Sequence, residues 1–167
     1  NKIEFSRNGE ITIEQPIVDK KRITLLNDCM MLFFTGIART AADVAKTYVP
    51  NIASKSRQLT RIYNMVDDAE NILCGSESLN HFGELLHESW LIKRSLSAQV
   101  SNSYIDEVYD SAREGGAIGG KLSGAGGGGM IMLFVPLDKQ SEVRKKLSSL
   151  IQVPFRFETA GSRVIFR

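Results

Sequence analysis

AIGGKLSGAGGGGMIMLFV, residues 117–135, holds two strand-like segments on either side of a glycine run. The pattern predicts a short strand over 117–123, a tight turn, and a second strand over 130–135. The second segment is apolar without alternation, which is typical of a strand buried on both faces. Nine of the 14 glycines lie within 115–129, so they form one feature and are not scattered along a linker.

Outward from this segment, periodicity predicts the remaining elements. They are a hairpin over 1–15 that turns at Asn8-Gly9, a short helix over 19–27, a buried strand over 30–34, a helix over 41–49 capped by Thr40, three helices over 54–74, 82–96 and 105–112, a helix over 141–150, and strands over 153–157 and 164–166. This order predicts an α+β fold: a ferredoxin-like βαββαβ sandwich with additional helices, plus an N-terminal β-hairpin.

Length and composition exclude several classes of protein. A chain of 167 residues with 43% hydrophobic and 24% charged residues can bury a full core by itself. A net charge of +2 calls for no nucleic acid and no membrane surface as a partner. Two isolated cysteines and two histidines provide neither a disulfide framework nor a metal site. A reducing cytoplasm is the expected compartment, and the oligomeric state stays open.

Two familiar phosphate-binding motifs do not fit this sequence, because the elements around the glycine run differ from those that the motifs require. In a Walker A loop, lysine follows the glycines and a helix comes next, whereas Lys121 precedes the run and a strand follows. Gly124, Gly126 and Gly129 satisfy G-x-G-x-x-G, but the dinucleotide-binding form must also open a helix. Spacing alone leaves two alternatives: a hairpin turn that avoids steric conflict, or a loop that contacts a ligand.

Four longer segments of the sequence resemble motifs of a known family. GGKLSGAGGGG at 119–129, with the strand behind it, resembles the third motif of the GHMP kinases. LFFTGIARTA at 32–41, FGELLHESWLIKRSLS at 82–97 and VPFRFETAGSRVIF at 153–166 resemble the bacterial heptose 7-phosphate kinases within that superfamily. The resemblance spans nearly the whole chain.

The resemblance implies a C-terminal kinase domain over 17–167, with residues 1–16 forming a hairpin or linker from an N-terminal kinase domain. That other domain would bind most of the ATP and Mg²⁺ and would carry the catalytic residue, so no catalytic residue is expected in these 167 residues. We expect them to show no kinase activity alone. The implied substrate is a sugar phosphate, most specifically the anomeric hydroxyl of a heptose 7-phosphate.

The resemblance also implies which residues face the cleft between the domains. These are Lys121, Ser123, Gly124, Ala125, Gly126, Gly127, Gly128 and Gly129, which would brace the phosphate loop. We expect a β-branched residue at Gly126 to reduce turnover more than it harms folding.

Three cations are the candidate substrate-binding residues. Lys93 falls on the apolar arc of its helix, where a cation is costly unless it is paired, although a lysine near a helix end can also reach water. An anionic sugar phosphate would provide that partner. Arg39, in the turn before a capped helix, and Arg94, on another side of the wheel, are weaker candidates. The alternatives are a fucose- or galactose-type kinase domain and a non-catalytic ferredoxin-like module that binds a small molecule.

Overall fold

A four-stranded antiparallel sheet forms the centre of the molecule, and the computed structural model describes residues 1–38, 41–47, 49–158, 161, 164 and 166. The strands are β1 (Lys2–Phe5), β2 (Ile11–Glu14), β3 (Met30–Phe34), β4 (Gly119–Leu122), β5 (Met130–Phe134) and β6 (Ile151–Gln152). The α-helices are α1 (Lys20–Cys29), α2 (Ala41–Ala45), α3 (Ser56–Cys74), α4 (Asn80–Arg94), α5 (Ser103–Glu114) and α6 (Gln140–Lys146). Short 3₁₀ segments cover Val49–Lys55 and Leu137–Lys139.

The strand order β4-β5-β3-β6 is that of a ferredoxin-like sheet, and it confirms the α+β fold expected from the sequence. β3 pairs along its whole length with β5, from Met30 opposite Phe134 to Phe34 opposite Met130. The two segments that are apolar without alternation, 30–34 and 130–134, are therefore the central strands β3 and β5. β1 and β2 form a separate hairpin, in agreement with the Asn8-Gly9 turn.

The core consists of two clusters of apolar side chains. The larger one joins Met31, Phe33, Ile131 and Leu133 of the central strands to α5, α6 and the fully buried Trp90 of α4. The smaller one contains Met30 and Phe134, with Leu26 of α1 and Leu79 before α4. Alternate strand residues enter different clusters because successive side chains in a strand point to opposite faces. Both faces of the central strands are therefore covered.

α4 lies unusually close to β4, because glycines occupy both sides of the contact. A Cβ built on Gly119 would lie 1.9 Å from the carbonyl oxygen of Gly83 in α4. A Cβ on Gly83 would lie 2.8 Å from the ring of Phe134 and 2.9 Å from a methyl group of Ile118. Neither position has room for a side chain, so this pair of glycines fixes the position of α4 on the sheet.

Arg22 joins α1 to the end of α3. Its guanidinium donates to the carbonyl oxygens of Ile72 at 2.7 Å, Leu73 at 3.1 Å and Glu77 at 2.9 Å. Carbonyl groups in the last turn of a helix have no partner within the helix, so an arginine there satisfies them and opposes the negative end of the helix dipole. The first helix is thereby tied to the helix pair α3–α4.

The hairpin is attached to the rest of the molecule through its polar face. Lys2 donates to Asp67 at 2.7 Å and to Glu70 at 2.8 Å, both on α3. The opposite face carries the cross-strand pairs Ile3–Ile13 and Phe5–Ile11, and all four side chains are at least half exposed.

Two helices end several residues before the position that the sequence predicts. The helix expected over 41–49 ends at Ala45, because both the amide and the hydroxyl of Thr47 bond to the carbonyl of Val44 and close a tighter turn. The helix expected over 141–150 is the shorter α6. The proposed cap Thr40 lies outside the described residues.

The strand predicted over 153–157 was wrong, and the paired segment is the two-residue β6 just before it. The amide of Val153 still bonds to Leu32, but that of Phe157 turns to the side chain of Asn27 at 2.9 Å. The return strand predicted over 164–166 includes a residue outside the described ones, and the described Val164 and Phe166 are exposed and outside any strand. Within the described ranges, no helix is long and apolar enough to cross a bilayer.

The contact between α4 and β4 can be tested by Gly119→Ala. The added methyl group would overlap the Gly83 carbonyl, so the helix must move, and overpacking of this kind costs about 1–3 kcal/mol or more. Gly36→Ala is the control, because φ is +77° there and nothing lies within 4 Å of the new Cβ. Urea denaturation should show a smaller loss for the control, of about 1 kcal/mol. Equal losses would contradict the proposed close packing.

Candidate functional site

The glycine run forms the connection between β4 and β5 and is held from beneath by two neighbouring segments. The amide of Gly127 donates to the carbonyl of Val100 at 2.8 Å, and that of Gly129 donates to Ile37 at 2.7 Å. Both the amide and the hydroxyl of Thr35 donate to the carbonyl of Gly129 at 2.9 Å. These hydrogen bonds hold the second half of the loop in a fixed position on the core.

The buried and exposed halves of the loop need glycine for different reasons. Gly126 has φ +118°, and a Cβ there would lie 2.6 Å from the Val100 carbonyl oxygen. Gly128 is packed against Ile37 in the same way, with a nearest contact of 2.6 Å. Gly124, at φ +75°, has nothing within 4 Å. The buried half thus needs glycine for packing, whereas the exposed half needs it only for its backbone conformation.

The exposed half of the loop also has unused donors. The amides of Gly124 and Ala125 have no backbone acceptor among the described residues. Adjacent amides in a glycine-rich turn can converge on an anion. This half, beginning at the exposed Ser123, is the part of the loop that a ligand can reach.

Lys93 lies over this exposed half. Its ammonium donates to the carbonyl oxygen of Gly124 and, at 3.5 Å, to that of Leu122. An ammonium has three N–H donors, so one remains for a ligand. No carboxylate within the described ranges forms an ion pair with Lys93.

Lys121 provides a second cation beside the first. It stands opposite Met132 in the strand register, on the same face of β4 as Gly119 and therefore on the side of α4. Burial and the nearby charge of Lys121 lower the pKa of Lys93 to about 8, and burial lowers the pKa of Lys121 as well. Two half-buried ammonium groups beside free amides form a site of positive potential, which suits an anion with two charges.

Of the other two predicted cations, the described one, Arg94, is not brought to this site. Arg94 points away from Lys93 and pairs with Asp106 of α5 at 3.3 Å. The same carboxylate accepts the hydroxyl of Ser101 at 2.6 Å. The guanidinium therefore has a structural partner and joins α4 to α5. Arg39 lies outside the described residues.

A polar recess of about 250 Å³ lies beside the loop, against Gly127. Asn102 stands at its edge, where its side chain accepts the amide of Ile105 at 3.0 Å and donates to the carbonyl of Gly127 at 3.4 Å. Sequence reasoning missed Asn102, Val100 and Gly83. Asn102 could have been found as an N-cap residue before α5, whereas nothing local marks Val100 or Gly83.

The residues suit a phosphate better than a metal ion. Among the described residues, no three histidine, cysteine or carboxylate side chains lie together as a metal site. Free amides and two lysines are, in contrast, the groups that bind phosphate oxygens. The amides and the two lysines at the loop therefore have the chemistry to bind an anion such as a phosphate group.

Comparison with known proteins identifies the family. The family described as GHMP kinases C terminal matches residues 68–152, about half of the chain. The chain belongs to that family. The match includes α4, the glycine loop and both lysines, and it ends at β6.

The curated relatives are longer proteins. One is the D-glycero-alpha-D-manno-heptose 7-phosphate kinase of Campylobacter jejuni, 29% identical over 152 residues, covering 88% of this chain and 44% of that protein. Another is the L-fucokinase/L-fucose-1-P guanylyltransferase of Bacteroides fragilis, 31% identical over 122 residues, with 70% of this chain and 12% of that protein covered. The chain thus spans less than half the length of either.

Solved structures share the GHMP kinase C-terminal fold. The L. major mevalonate kinase superposes with a TM-score of 0.68 at 20% identity, covering 87% of this chain and 46% of that one. A D-glycero-D-manno-heptose 1-phosphate kinase from Bacteroides thetaiotaomicron gives a TM-score of 0.61 at 21% identity, over 93% and 41% of the two chains. At these identities the likeness concerns the fold alone.

The packing of the loop adds a steric cost to any side chain at Gly126, since its Cβ would meet the Val100 carbonyl. We now expect Gly126→Ala to destabilise this GHMP kinase domain by about 1–3 kcal/mol more than Gly124→Ala. Both variants carry the cost of a positive φ, and only Gly126→Ala adds a steric overlap. Urea denaturation of the two variants measures the difference. Equal stability losses would show that the buried half of the loop yields easily.

The lowered pKa of Lys93 predicts a dependence of stability on pH. Between about pH 8 and its unfolded value of 10.5, the unfolded chain holds a proton on Lys93 that the folded chain has lost. Stability contributed by this group therefore rises with pH across that window. The unfolding free energy of wild type relative to Lys93→Met should increase from pH 7.5 to pH 9.5. A constant or shrinking difference would mean that Lys93 keeps an ordinary pKa.

Proposed function

We propose that this chain is the C-terminal domain of an ATP-dependent sugar kinase that phosphorylates a hydroxyl of a sugar phosphate. The most specific assignment is the anomeric hydroxyl of D-glycero-D-manno-heptose 7-phosphate. The observation that carries the proposal is the pair Lys93 and Lys121, which flanks the open half of the glycine loop without a carboxylate partner among the described residues. The Campylobacter relative, a heptose 7-phosphate kinase by name, supports the choice of sugar.

In this proposal the chain's residues bind and orient, and no catalytic residue is assigned to them. Bound ATP would supply the phosphoryl group that is transferred. Lys93 would hold the substrate's own phosphate with its free donor, and Lys121 would add a second positive charge. The amides of Gly124 and Ala125 would hold phosphate oxygens at the loop. Phosphoryl transfer depends mainly on positioning and on neutralisation of charge, so contributions of this kind affect the rate directly.

The division of the chain follows from the same proposal. Residues 1–16 would belong with an N-terminal kinase domain and 17–167 would form the C-terminal domain. The exposed apolar face of the hairpin, with Phe5 at 74% exposure, supports contact with that N-terminal domain, because an exposed apolar face is costly in water. The ATP and Mg²⁺ would be bound mainly by that other domain. The two free cysteines fit the cytoplasmic location expected from the sequence.

A fucose-type kinase is the second candidate. The Bacteroides fragilis relative, an L-fucokinase by the first part of its name, matches 70% of this chain at 31% identity. A neutral sugar would leave the lysine pair without a substrate phosphate, so the two candidates differ in what Lys93 does. A non-catalytic binding module would bind the anion and transfer nothing.

Lys93→Met in the complete kinase separates these candidates. Methionine keeps the bulk of the side chain and removes the charge. Affinity for heptose 7-phosphate should fall by about 1.5–3 kcal/mol, the usual value of a hydrogen bond to a charged group. Affinity for the same heptose without its phosphate should change much less. Steady-state kinetics and calorimetry with both sugars measure the two effects.

Lys145→Met is the matched control, because Lys145 is an exposed lysine on α6. It should leave both affinities unchanged. Equal losses for the two sugars in Lys93→Met would remove Lys93 from the phosphate site, and faster turnover of fucose than of either heptose would favour the second candidate.

A further inference from the structure

An apolar cavity of about 300 Å³ lies between α3 and α4, away from the polar recess described above. Its walls are side chains of the two helices, among them Met65, Ala69 and Leu86. Lys2 and Pro16, at the two ends of the hairpin region, line it as well, and Lys121 of β4 reaches it from the sheet.

The charged side chains around this cavity differ in whether they have a partner of opposite charge. Lys2 and Glu70 both line it, and Lys2 is shared between Glu70 at 2.8 Å and Asp67, outside the lining, at 2.7 Å. Lys121 also lines it and has no ion-pair or hydrogen-bond partner within the described ranges, although it is half buried. The cavity therefore combines an apolar body with a lysine, Lys121, that has no carboxylate partner among the described residues, an arrangement common in ligand pockets.

A sugar does not match this lining. Hydroxyl groups placed against the aliphatic side chains of α3 and α4 would lose their hydrogen bonds to water and gain few in return. An alkyl chain has no hydrogen bonds to water to lose on entering, and its burial removes apolar surface of both partners from water.

We propose that this cavity binds an amphiphile with a single alkyl chain and an anionic head group, the head on Lys121 and the chain between α3 and α4. The proposal does not rest on the sugar kinase assignment. The cavity has the volume of about ten waters at ~30 Å³ each, so it accommodates a chain of roughly eight to ten heavy atoms.

Titration of the 167-residue chain with alkyl phosphates tests the proposal. Inorganic phosphate and phosphates carrying two, four, six, eight and ten carbons, each below its micelle concentration, are compared by calorimetry. The affinity should rise by roughly fourfold per methylene, equivalent to ~0.8 kcal/mol, and level off near eight to ten carbons when the cavity is full. An affinity independent of chain length, or one that keeps rising without a limit, would overturn the proposal.

Ala69→Leu fills the cavity from α3 and is expected to reduce octyl phosphate affinity by about tenfold or more while ethyl phosphate binding stays unchanged. Asn64→Leu is the matched control, because it introduces the same side chain at an exposed position of α3 outside the cavity. Circular dichroism confirms that both variants fold. Octyl phosphate binding that is insensitive to Ala69→Leu, or equally weakened in both variants, would place the ligand elsewhere.

The role of the charge is tested separately. Lys121→Met should reduce octyl phosphate affinity by about tenfold or more and leave neutral octanol unaffected. Equal effects on both ligands would overturn the assignment of the head group to Lys121. The sugar kinase proposal can fail independently, since its test concerns Lys93 and the phosphate of the sugar, whereas this one concerns chain length.

Discussion

The contact of α4 with β4 through Gly83 and Gly119 determines where the candidate site lies. α4 advances ~15 Å from Gly83 to Lys93, at 1.5 Å per residue. β4 and the start of the loop advance ~16 Å from Gly119 to Gly124, at about 3.3 Å per residue. Because helix and strand start from the same contact and cover the same distance, Lys93 arrives at the carbonyl of Gly124. A displacement of the helix at one end would therefore move a cation at the other.

The orientation of α4 also explains why neighbouring cations behave differently. Successive helix residues are rotated by ~100°, so Lys93 faces the loop while Arg94 faces Asp106 on α5. One cation is thus neutralised within the fold and the other is not. Keeping Lys93 and Lys121 half buried and close together disfavours their charged forms, which the lowered pKa of Lys93 expresses. A bound anion would relieve this cost, so such a site favours binding over stability.

The sequence predicted the central strands of the sheet correctly, and the edge strand β6 less well. The apolar runs at 30–34 and 130–135 identified the central strands, since a strand with apolar side chains at successive positions must be covered on both faces. Alternation over 153–157 indicated an apolar side but could not say whether the backbone had a strand to pair with. β6 pairs with β3 through Ile151 and Gln152, and the amide of Val153 still bonds to Leu32, but further along the chain the amide of Phe157 bonds to the side chain of Asn27 instead.

The candidate site was likewise predicted in part. The helical period placed Lys93 on an inward face, and the glycine run marked the loop. The distinction between Gly124 and Gly126 depends on the Val100 carbonyl, about 25 residues away in the chain, and no local pattern reports on such a neighbour. The cavity between α3 and α4 was invisible for the same reason, since it depends on how two helices and the hairpin pack.

The fluorescence of Trp90 can be used to follow the position of α4. It is the chain's single tryptophan, it is fully buried, and it lies on α4 between Gly83 and Lys93 with its ring 6.2 Å from that of Tyr109. Its ring lies in the larger apolar cluster of the core, and its indole N–H has no hydrogen-bond partner in the described part of the chain. Indole emission shifts to longer wavelength when water reaches the ring. The fluorescence of the unlabelled protein therefore reports whether the helix that carries Lys93 is in place.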